Sequence, residues 1–296
     1  MAPRVTVTKT CKLYIGGALA RSESGRTVRV TDHRGEFMAN AALASRKDGR
    51  DAVVAARKGQ AAWASATPYN RGQVMYRMAE MMEGRRAELV QALRDLSGLS
   101  VARASREVDL AVDSLVHHAG WTDKLATVMG SVNAVSSPFF SYSVPEPTGV
   151  VVAAAPAEHA LLGLVSALAP VVAGGNAVVL VTRTEAACVA GVLAEIVATS
   201  DVPAGVVNLL TGHAAEVLPH LAAHGDVNGL DLTGVDAELG AELGRVAAGT
   251  VKRVHVPRRP FDPEAAPGTT RLRAFLETKT VWHPTGAPSL AGGSSY

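Results

Sequence analysis

Short apolar runs that alternate with apolar helical segments constrain the fold of this chain more than any other feature. Residues 149–155 form such a run and end at Pro156, as expected of a buried strand followed by a loop. Residues 161–172 predict a helix that ends at glycines 174 and 175, and residues 177–181 predict a second buried strand. This order is that of a βαβ unit, so the two strands should be parallel neighbours.

The same alternation continues towards the carboxyl terminus. Residues 186–198 predict a helix, residues 206–210 a third strand and residues 229–234 a fourth. The sequence therefore predicts an α/β fold with a doubly wound, Rossmann-like parallel sheet and flanking helices. Ligands of such sheets bind beyond the carboxyl ends of the strands, which is where candidate site residues should lie.

The amino-terminal half predicts helices that pack on this sheet. A β-hairpin is expected over about residues 13–30, followed by helices over about 49–65, 70–96 and 101–124. Methionines 78 and 82 recur at helical spacing, which is more typical of a core face than of a ligand surface.

Four segments, in a common order and spacing, resemble the aldehyde dehydrogenase superfamily. Residues 146–151 (EPTGVV) resemble the family's EPxGVV, and residues 170–179 (PVVAGGNAVV) its PALAAGNxVV. Residues 202–212 are similar to PPGVVNxxxG, and residues 232–234 to the start of FTGS. The resemblance implies an NAD(P)-binding Rossmann-like domain and, in the family, oxidation of an aldehyde through a covalent thiohemiacetal.

The loop after the first strand departs from the family pattern at a catalytic position. The family reads PWNF there, and its asparagine helps form the oxyanion hole. Here the loop runs from Pro156 to His159 and places Glu158 at the asparagine position. An ionised Glu158 would oppose developing negative charge. The resemblance therefore implies a degenerate catalytic position at Glu158 and a degenerate cofactor-binding position at Pro156.

Four further cofactor-binding positions are also degenerate under this resemblance. Val181 replaces the lysine that holds the adenosine ribose, and Thr184 replaces the glutamate three places later. Gly234 is kept, but Val235 replaces the serine that contacts the cofactor phosphate. Arg183 and Glu185 are out of register as substitutes. The expectation is therefore no cofactor or weak NAD(P) binding.

The general base and the nucleophile of the family are missing from their expected places. Residues 253–260 align with RVxLELGGK, which puts Pro257 at the glutamate position. Residues 271–281 already resemble the family's carboxyl-terminal LREYTEVKTV. The two cysteines, Cys11 and Cys188, lie outside any catalytic context, and Cys188 is expected to be a buried, inert thiol. The chain is thus expected to be an internally shortened member that lacks the catalytic domain.

The expected organisation follows from these matches. It comprises a disordered amino terminus (1–10), an aldehyde-dehydrogenase-like NAD-binding-type domain (11–256), a linker that replaces the catalytic domain (257–270), a carboxyl-terminal oligomerisation strand (271–283) and a disordered tail (284–296). The amino-terminal hairpin and the carboxyl-terminal strand are expected to form a small β oligomerisation element.

Composition argues against several other classes of site and partner. The 29 Lys and Arg residues are nearly balanced by 27 Asp and Glu residues, so no basic groove for nucleic acid is expected. Aromatic residues make up only 4% of the chain, so no stacking platform for bases is expected either. No apolar run is long enough to span a bilayer, and no apolar signal segment follows Met1, so no membrane association and a cytoplasmic location are expected. His220 and His224 lie one helical turn apart without an HExxH motif, so no metal site is expected.

Three functions stay open at this point. The first is a non-catalytic subunit, a pseudoenzyme, that oligomerises with itself or with a full-length aldehyde dehydrogenase. The second is a component of an NAD(P)-dependent aldehyde oxidoreductase whose cofactor pocket is completed by a partner subunit. The third is a small-ligand sensor built on Glu158 and His159. The sequence favours the first, because an oligomerisation strand is kept where the chemistry is lost, and an unpaired strand edge is an aggregation liability.

Overall fold

The computed structural model describes residues 8–136, 138–262 and 264–285. The strands are β1 (Thr10–Cys11), β2 (Leu13–Ile15), β3 (Ala18–Ala20), β4 (Thr27–Thr31), β5 (Phe37–Ala42), β6 (Ser131–Asn133), β7 (Phe139–Pro147), β8 (Val150–Ala154), β9 (Ala177–Thr182), β10 (Val207–Thr211), β11 (Gly229–Asp231), β12 (Arg253–His255) and β13 (Leu276–Pro284). The helices are α1 (Arg46–Ser65), α2 (Pro68–Gly84), α3 (Arg86–Ser97), α4 (Val101–Ala119), α5 (Leu125–Met129), α6 (Ala160–Ala173), α7 (Ala187–Ala198), α8 (Ala214–Ala222), α9 (Ala237–Ala248) and α10 (Thr270–Ala274), with a 3₁₀ turn at Thr184–Ala186.

A seven-stranded sheet of order β12-β11-β8-β9-β10-β2-β3 forms the centre of the molecule. Strands β8 to β12 are mutually parallel, and each is joined to the next by a helix. Helices α2, α4, α6 and α7 contribute to the apolar core on one face, and α1, α8 and α9 to the core on the other. The predicted doubly wound α/β fold is confirmed, with β12 as an additional strand.

The amino-terminal strands divide between two sheets. The hairpin β2–β3 joins the central sheet, where Tyr14 lies antiparallel to Leu209 of β10. Strand β4 instead pairs with β5 in a separate sheet of order β1-β5-β4. The prediction of one hairpin over residues 13–30 was therefore wrong, because β4 finds its partner further along the chain.

The carboxyl-terminal strand β13 lies in a third sheet, of order β13-β7-β6. Its register with β7 runs without interruption from Leu276 opposite Pro147 to Pro284 opposite Phe139. The expected β element of amino-terminal hairpin and carboxyl-terminal strand is thus replaced by a sheet of β6, β7 and β13, since the hairpin pairs with β10.

Local signals set the helix boundaries. Helix α1 begins earlier than predicted because Ser45 and Asp48 form a capping box, in which each side chain accepts from the other's backbone N–H. The predicted helix over 70–96 is two helices, α2 and α3, that meet at Arg85, whose backbone is not helical. Helix α4 ends at Ala119, before the predicted end at 124.

Most of the two terminal segments predicted to be disordered, 1–10 and 284–296, lies outside the described residues. Within the described ranges, no helix combines the length and apolarity needed to cross a membrane. The same ranges contain no group of three His, Cys, Asp or Glu side chains that could hold a metal ion.

Candidate functional site

The carboxyl ends of β8, β9 and β11 lie side by side and bring several predicted site residues together. The backbone N–H of Ala155, after β8, donates to the carbonyl of Val181 in β9 at 3.0 Å. A Cβ on Gly234 would lie 2.2 Å from the Ala155 carbonyl oxygen, so the loop after β11 packs directly on the end of β8. Pro156, the next residue, is buried against α6, since a Cβ on Gly163 would lie 2.5 Å from its carbonyl oxygen. This strand-end edge is the place where a doubly wound sheet binds ligands.

A carboxylate of the protein itself occupies the amino terminus of α6. Oε1 of Glu107, from α4, accepts hydrogen bonds from the backbone N–H groups of Leu161 at 2.8 Å and Leu162 at 3.2 Å. Helix amino termini attract anions because their first N–H groups are unpaired and the helix dipole is positive there. Glu107 is buried and already satisfies this end of α6. An anionic ligand would have to displace it.

Glu158 and His159, the residues of the third hypothesis, have different surroundings in the structure. Nδ1 of His159 lies 3.7 Å from Oε2 of Glu107, and its ring is 6.2 Å from that of Phe261. The Glu158 side chain is exposed to solvent. The ring of His159 therefore lies near Glu107, a residue that the sequence did not single out.

Helix α9 follows β11, the strand beside β8, and its amino terminus is also capped by a carboxylate. Oδ1 of Asp236 accepts from the backbone N–H of Leu239 at 2.9 Å. The neighbouring Val235 is half-buried against the apolar core of that face. The residues before α9 therefore present an isopropyl group and a negative charge, where a phosphate requires donors and positive potential.

Val181 and Thr184, the two positions in and just after β9 that align with the family's ribose-binding residues, offer no exposed polar group. Val181 is buried in the core between the sheet and α1. Thr184 is buried in the 3₁₀ turn that follows β9. Arg183 and Glu185 flank it with exposed side chains.

A cavity of about 1050 Å³ lies between α4, α6 and the segment after β12. Pro257 is part of its wall, together with polar groups that include His118 and Arg271. Burial lowers the pKa of His118 to about 4, and the nearby positive charge of Arg271 acts in the same direction. His118 is therefore neutral at physiological pH, and its Nδ1 lies 2.8 Å from the carbonyl oxygen of Ser114.

A buried ion pair joins the carboxyl-terminal segment to the central sheet. Oδ2 of Asp231, at the end of β11, lies 2.8 Å from Nε of Arg271 in α10, and the Asp231 side chain is fully buried. Nη1 of Arg271 donates to the carbonyl of Ser166 in α6 at 2.6 Å. Oδ2 has no aligned hydrogen-bond donor, so the attraction is that of two close charges. The pair fixes α10 beside β11 and α6.

Sequence reasoning missed Glu107, Asp231 and Asp236 as components of this region. Asp236 carries a recognisable signal, since an Asp that comes directly before a helical apolar pattern is a typical amino-terminal cap. Glu107 and Asp231 carry none, because their partners lie 54 and 40 positions away along the chain.

Comparisons with known proteins agree with the fold. The model of the aldehyde dehydrogenase family matches residues 20–257. The protein DhaS of Bacillus subtilis is 31% identical over 249 residues, which are 83% of this chain and 50% of DhaS. The D-glyceraldehyde dehydrogenase (NADP(+)) of Thermoplasma acidophilum is 31% identical over 76% of this chain and 46% of its own. A betaine aldehyde dehydrogenase of Staphylococcus aureus, solved in complex with NAD+, has the same fold with a TM-score of 0.76 at 22% identity, covering 82% of this chain and 48% of that one. This chain spans about half the length of the relatives it matches.

Proposed function

The chain belongs to the aldehyde dehydrogenase family, and from this premise we propose that it acts as a non-catalytic subunit. It associates with a second copy of itself, or with a full-length aldehyde dehydrogenase, through the sheet of β6, β7 and β13. This proposal rests on three groups of observations: the exposure of that sheet, the poor match between the strand-end edge and the chemistry of the family, and the position of the two thiols.

The exposure of β13 is the observation that carries the proposal. Strand β13 pairs with β7 on one side only, and Glu277 to Thr280 are all exposed. Such a strand presents a row of N–H and C=O groups along its outer edge that another strand can pair with. Strand β13 has nine residues, and no described strand pairs with its outer edge, so this edge is long and unpaired within the described residues.

Aromatic side chains at one end of this sheet strengthen the argument. The rings of Phe139 and Trp282 meet edge to face at 5.9 Å, and the rings of Phe140 and Tyr142 lie 5.5 Å apart. Trp282 is 57% exposed and Phe140 46%. Exposed aromatic groups are enriched in protein interfaces, where they fill a partner's pockets at little cost in conformational entropy.

The residues at the strand-end edge do not fit the dinucleotide that the family resemblance implies. Val181 and Val235 supply no hydrogen-bonding side chain, and Asp236 puts a negative charge at the amino terminus of α9. We therefore infer that this chain holds NAD(P) weakly or not at all, and no catalytic step is assigned to it.

The thiols of the chain support the same proposal. Cys11 and Cys188 are buried in a small cluster with β4 and β5, and each has the other's sulfur as a close neighbour. Neither belongs to the loop of Glu158 or to the cavity beside Pro257. The described residues therefore offer no thiol positioned to attack an aldehyde at the strand-end edge.

Sedimentation and light scattering test the association. We expect the chain to form a dimer or larger assembly, and Trp282→Lys to weaken it at least about tenfold, because a lysine would bring a charge into the contact. Tyr69→Lys is the matched control, since Tyr69 is similarly exposed but lies on α2. A monomer at every concentration, which also fails to join a full-length family member mixed with it, contradicts the proposal.

A second experiment tests the absence of catalysis. The chain is incubated with short aldehydes and NAD or NADP, and reduced cofactor is measured by absorbance. We expect no rate above the buffer background. A rate that disappears in Cys11→Ala or Cys188→Ala would show that the chain is itself an aldehyde dehydrogenase.

A further inference from the structure

Two cysteines that are 177 positions apart in the sequence meet in the fold. Sγ of Cys11, in β1, lies 3.4 Å from Sγ of Cys188, in the first turn of α7. Both side chains are buried and both thiols are free. The sequence contains only these two cysteines, so both of its thiols lie in this one contact.

The surroundings of the pair leave the two sulfurs facing each other. They lie in a small apolar cluster made with four other buried residues, namely Val30, Ala39, Ala41 and Ala187. These neighbours have short side chains without polar groups. Strand β1 is two residues long and pairs only with β5, while Lys9 just before it is exposed, so β1 is held by few contacts.

The two thiols are electrostatically unequal. Cys188 lies near the amino terminus of α7, where the helix dipole favours a thiolate. The hydrogen bond from Cys11 lowers the pKa of Cys188 to about 7, and the charge of Lys9 contributes in the same direction. The same hydrogen bond and burial raise the pKa of Cys11. Cys188 is therefore the better nucleophile and Cys11 the proton donor beside it.

We propose that Cys11 and Cys188 form a peroxide-responsive dithiol that closes to an intramolecular disulfide between β1 and α7. Closure requires the sulfurs to approach from 3.4 Å to the bonding distance of about 2 Å. A shift of this size is within reach of a two-residue strand, whereas α7 is held in the core along most of its length.

The chemistry balances with a hydroperoxide as the oxidant. The Cys188 thiolate attacks one oxygen of hydrogen peroxide, so an S–O bond forms, the O–O bond breaks and hydroxide leaves, which becomes water by taking the proton that Cys188 lost on ionising. The Cys11 sulfur then attacks the sulfenic sulfur of Cys188, an S–S bond forms, the S–O bond breaks and water leaves with the proton of Cys11. With hydrogen peroxide, two thiols are oxidised to one disulfide, and the peroxide is reduced to two waters.

The disulfide would act on the region that follows β9. Cys188 comes directly after the 3₁₀ turn that contains Thr184, and that turn packs beside β4 and β5. A bond from Cys188 to Cys11 would fix this turn to the sheet of β1, β4 and β5. Oxidation thus stabilises the amino-terminal half of the molecule against local opening.

Mass spectrometry of the full chain tests the proposal directly. After reduction and removal of the reductant, a modest excess of hydrogen peroxide should lower the intact mass by two hydrogens and block alkylation of both thiols in denaturant. Dithiothreitol should restore both. The rate should rise with pH through about 7, as Cys188 ionises. Oxidation should raise the midpoint of thermal unfolding by about 5–10 °C, because the bond closes a very long loop.

Single alanine variants separate the roles of the two thiols. Cys11→Ala should stop at a sulfenic acid on Cys188 that dimedone traps, and Cys188→Ala should react about tenfold more slowly or less. Two results overturn the proposal: both thiols of the wild-type chain stay open to alkylation after peroxide, or the disulfide forms only between chains. The wild-type comparison needs no variant, so a folding defect in either variant does not weaken the test.

Discussion

Replacing Asp231 by Asn leaves the Arg271 guanidinium buried beside a neutral amide. In the wild-type chain Oδ2 of Asp231 lies 2.8 Å from Nε of Arg271, and the Arg271 side chain is only 14% exposed. The amide of Asn would put an NH₂ group, a donor, against the Nε–H donor. The substitution therefore removes the only negative charge that the described residues place close to Arg271, without changing the size of the side chain.

The expected cost follows from the contacts that remain. Removing one partner of a buried ion pair costs about 3–5 kcal/mol, because the other charge stays uncompensated. Two contacts survive in Asp231→Asn: Nη1 of Arg271 keeps the carbonyl of Ser166, and the retained Oδ1 still accepts from Thr233. We therefore expect the free energy of unfolding to fall by about 3 kcal/mol, the lower end of that range.

Urea unfolding followed by circular dichroism measures this change. The control is Glu277→Gln, which breaks the pair of Arg253 and Glu277 between β12 and β13. That pair is about half exposed, so its loss should cost only about 0.2–1 kcal/mol. The double change Asp231→Leu with Arg271→Met should recover most of the lost stability. The reasoning is refuted if Asp231→Asn destabilises the chain no more than Glu277→Gln does.

Three further predictions concern stability. Glu107→Ala should lower the free energy of unfolding in urea by about 2 kcal/mol, because it leaves two N–H groups of α6 unpaired. Glu107→Gln keeps an acceptor and should cost less. Equal costs would contradict the capping role. Because the pKa of His118 falls from 6.5 to about 4 on folding, the unfolded chain binds more protons between these values. Stability should thus be full above pH 6.5 and fall by up to about 3 kcal/mol as pH drops to about 4, a loss that His118→Gln should reduce. Trp63→Phe should cost about 1–3 kcal/mol, because it leaves the Val172 carbonyl without the indole N–H that donates to it at 2.9 Å; a cost near zero in thermal unfolding would contradict this.

The part of the fold that sequence predicted well is the part set by local signals. Strand β8 is an apolar run shortly before Pro156, strand β9 is an apolar run shortly after two glycines, and the helix between them is apolar except for Ser166. Burial on both faces removes the alternation of an exposed strand and leaves a continuous apolar run. These features depend on neighbours within a few residues, so the βαβ unit was found without knowledge of the rest of the chain.

The features that sequence missed depend on distant partners or on atypical composition. Strand β7 contains Pro145 and Pro147, and proline normally argues against a strand unless its pairing side is free. The cap that Glu107 places on α6 joins residues 54 positions apart. The contact between the thiols of Cys11 and Cys188 was not predicted, because no local pattern marks a contact across 177 positions.

The pairing of β2 with β10 determines when the amino-terminal segment can join the central sheet during synthesis. Tyr14 pairs with Leu209, and the backbone N–H of Gly16 donates to Oδ1 of Asn208 at 2.9 Å. The first of these segments leaves the ribosome well before the second exists, and pairing over such a separation is slow to form. The amino-terminal segment must therefore wait until three of the five parallel strands, β8, β9 and β10, have been made. A nascent chain stalled before β10 would expose both this segment and the edge of β9, which makes the late stage of translation the period of greatest risk of aggregation.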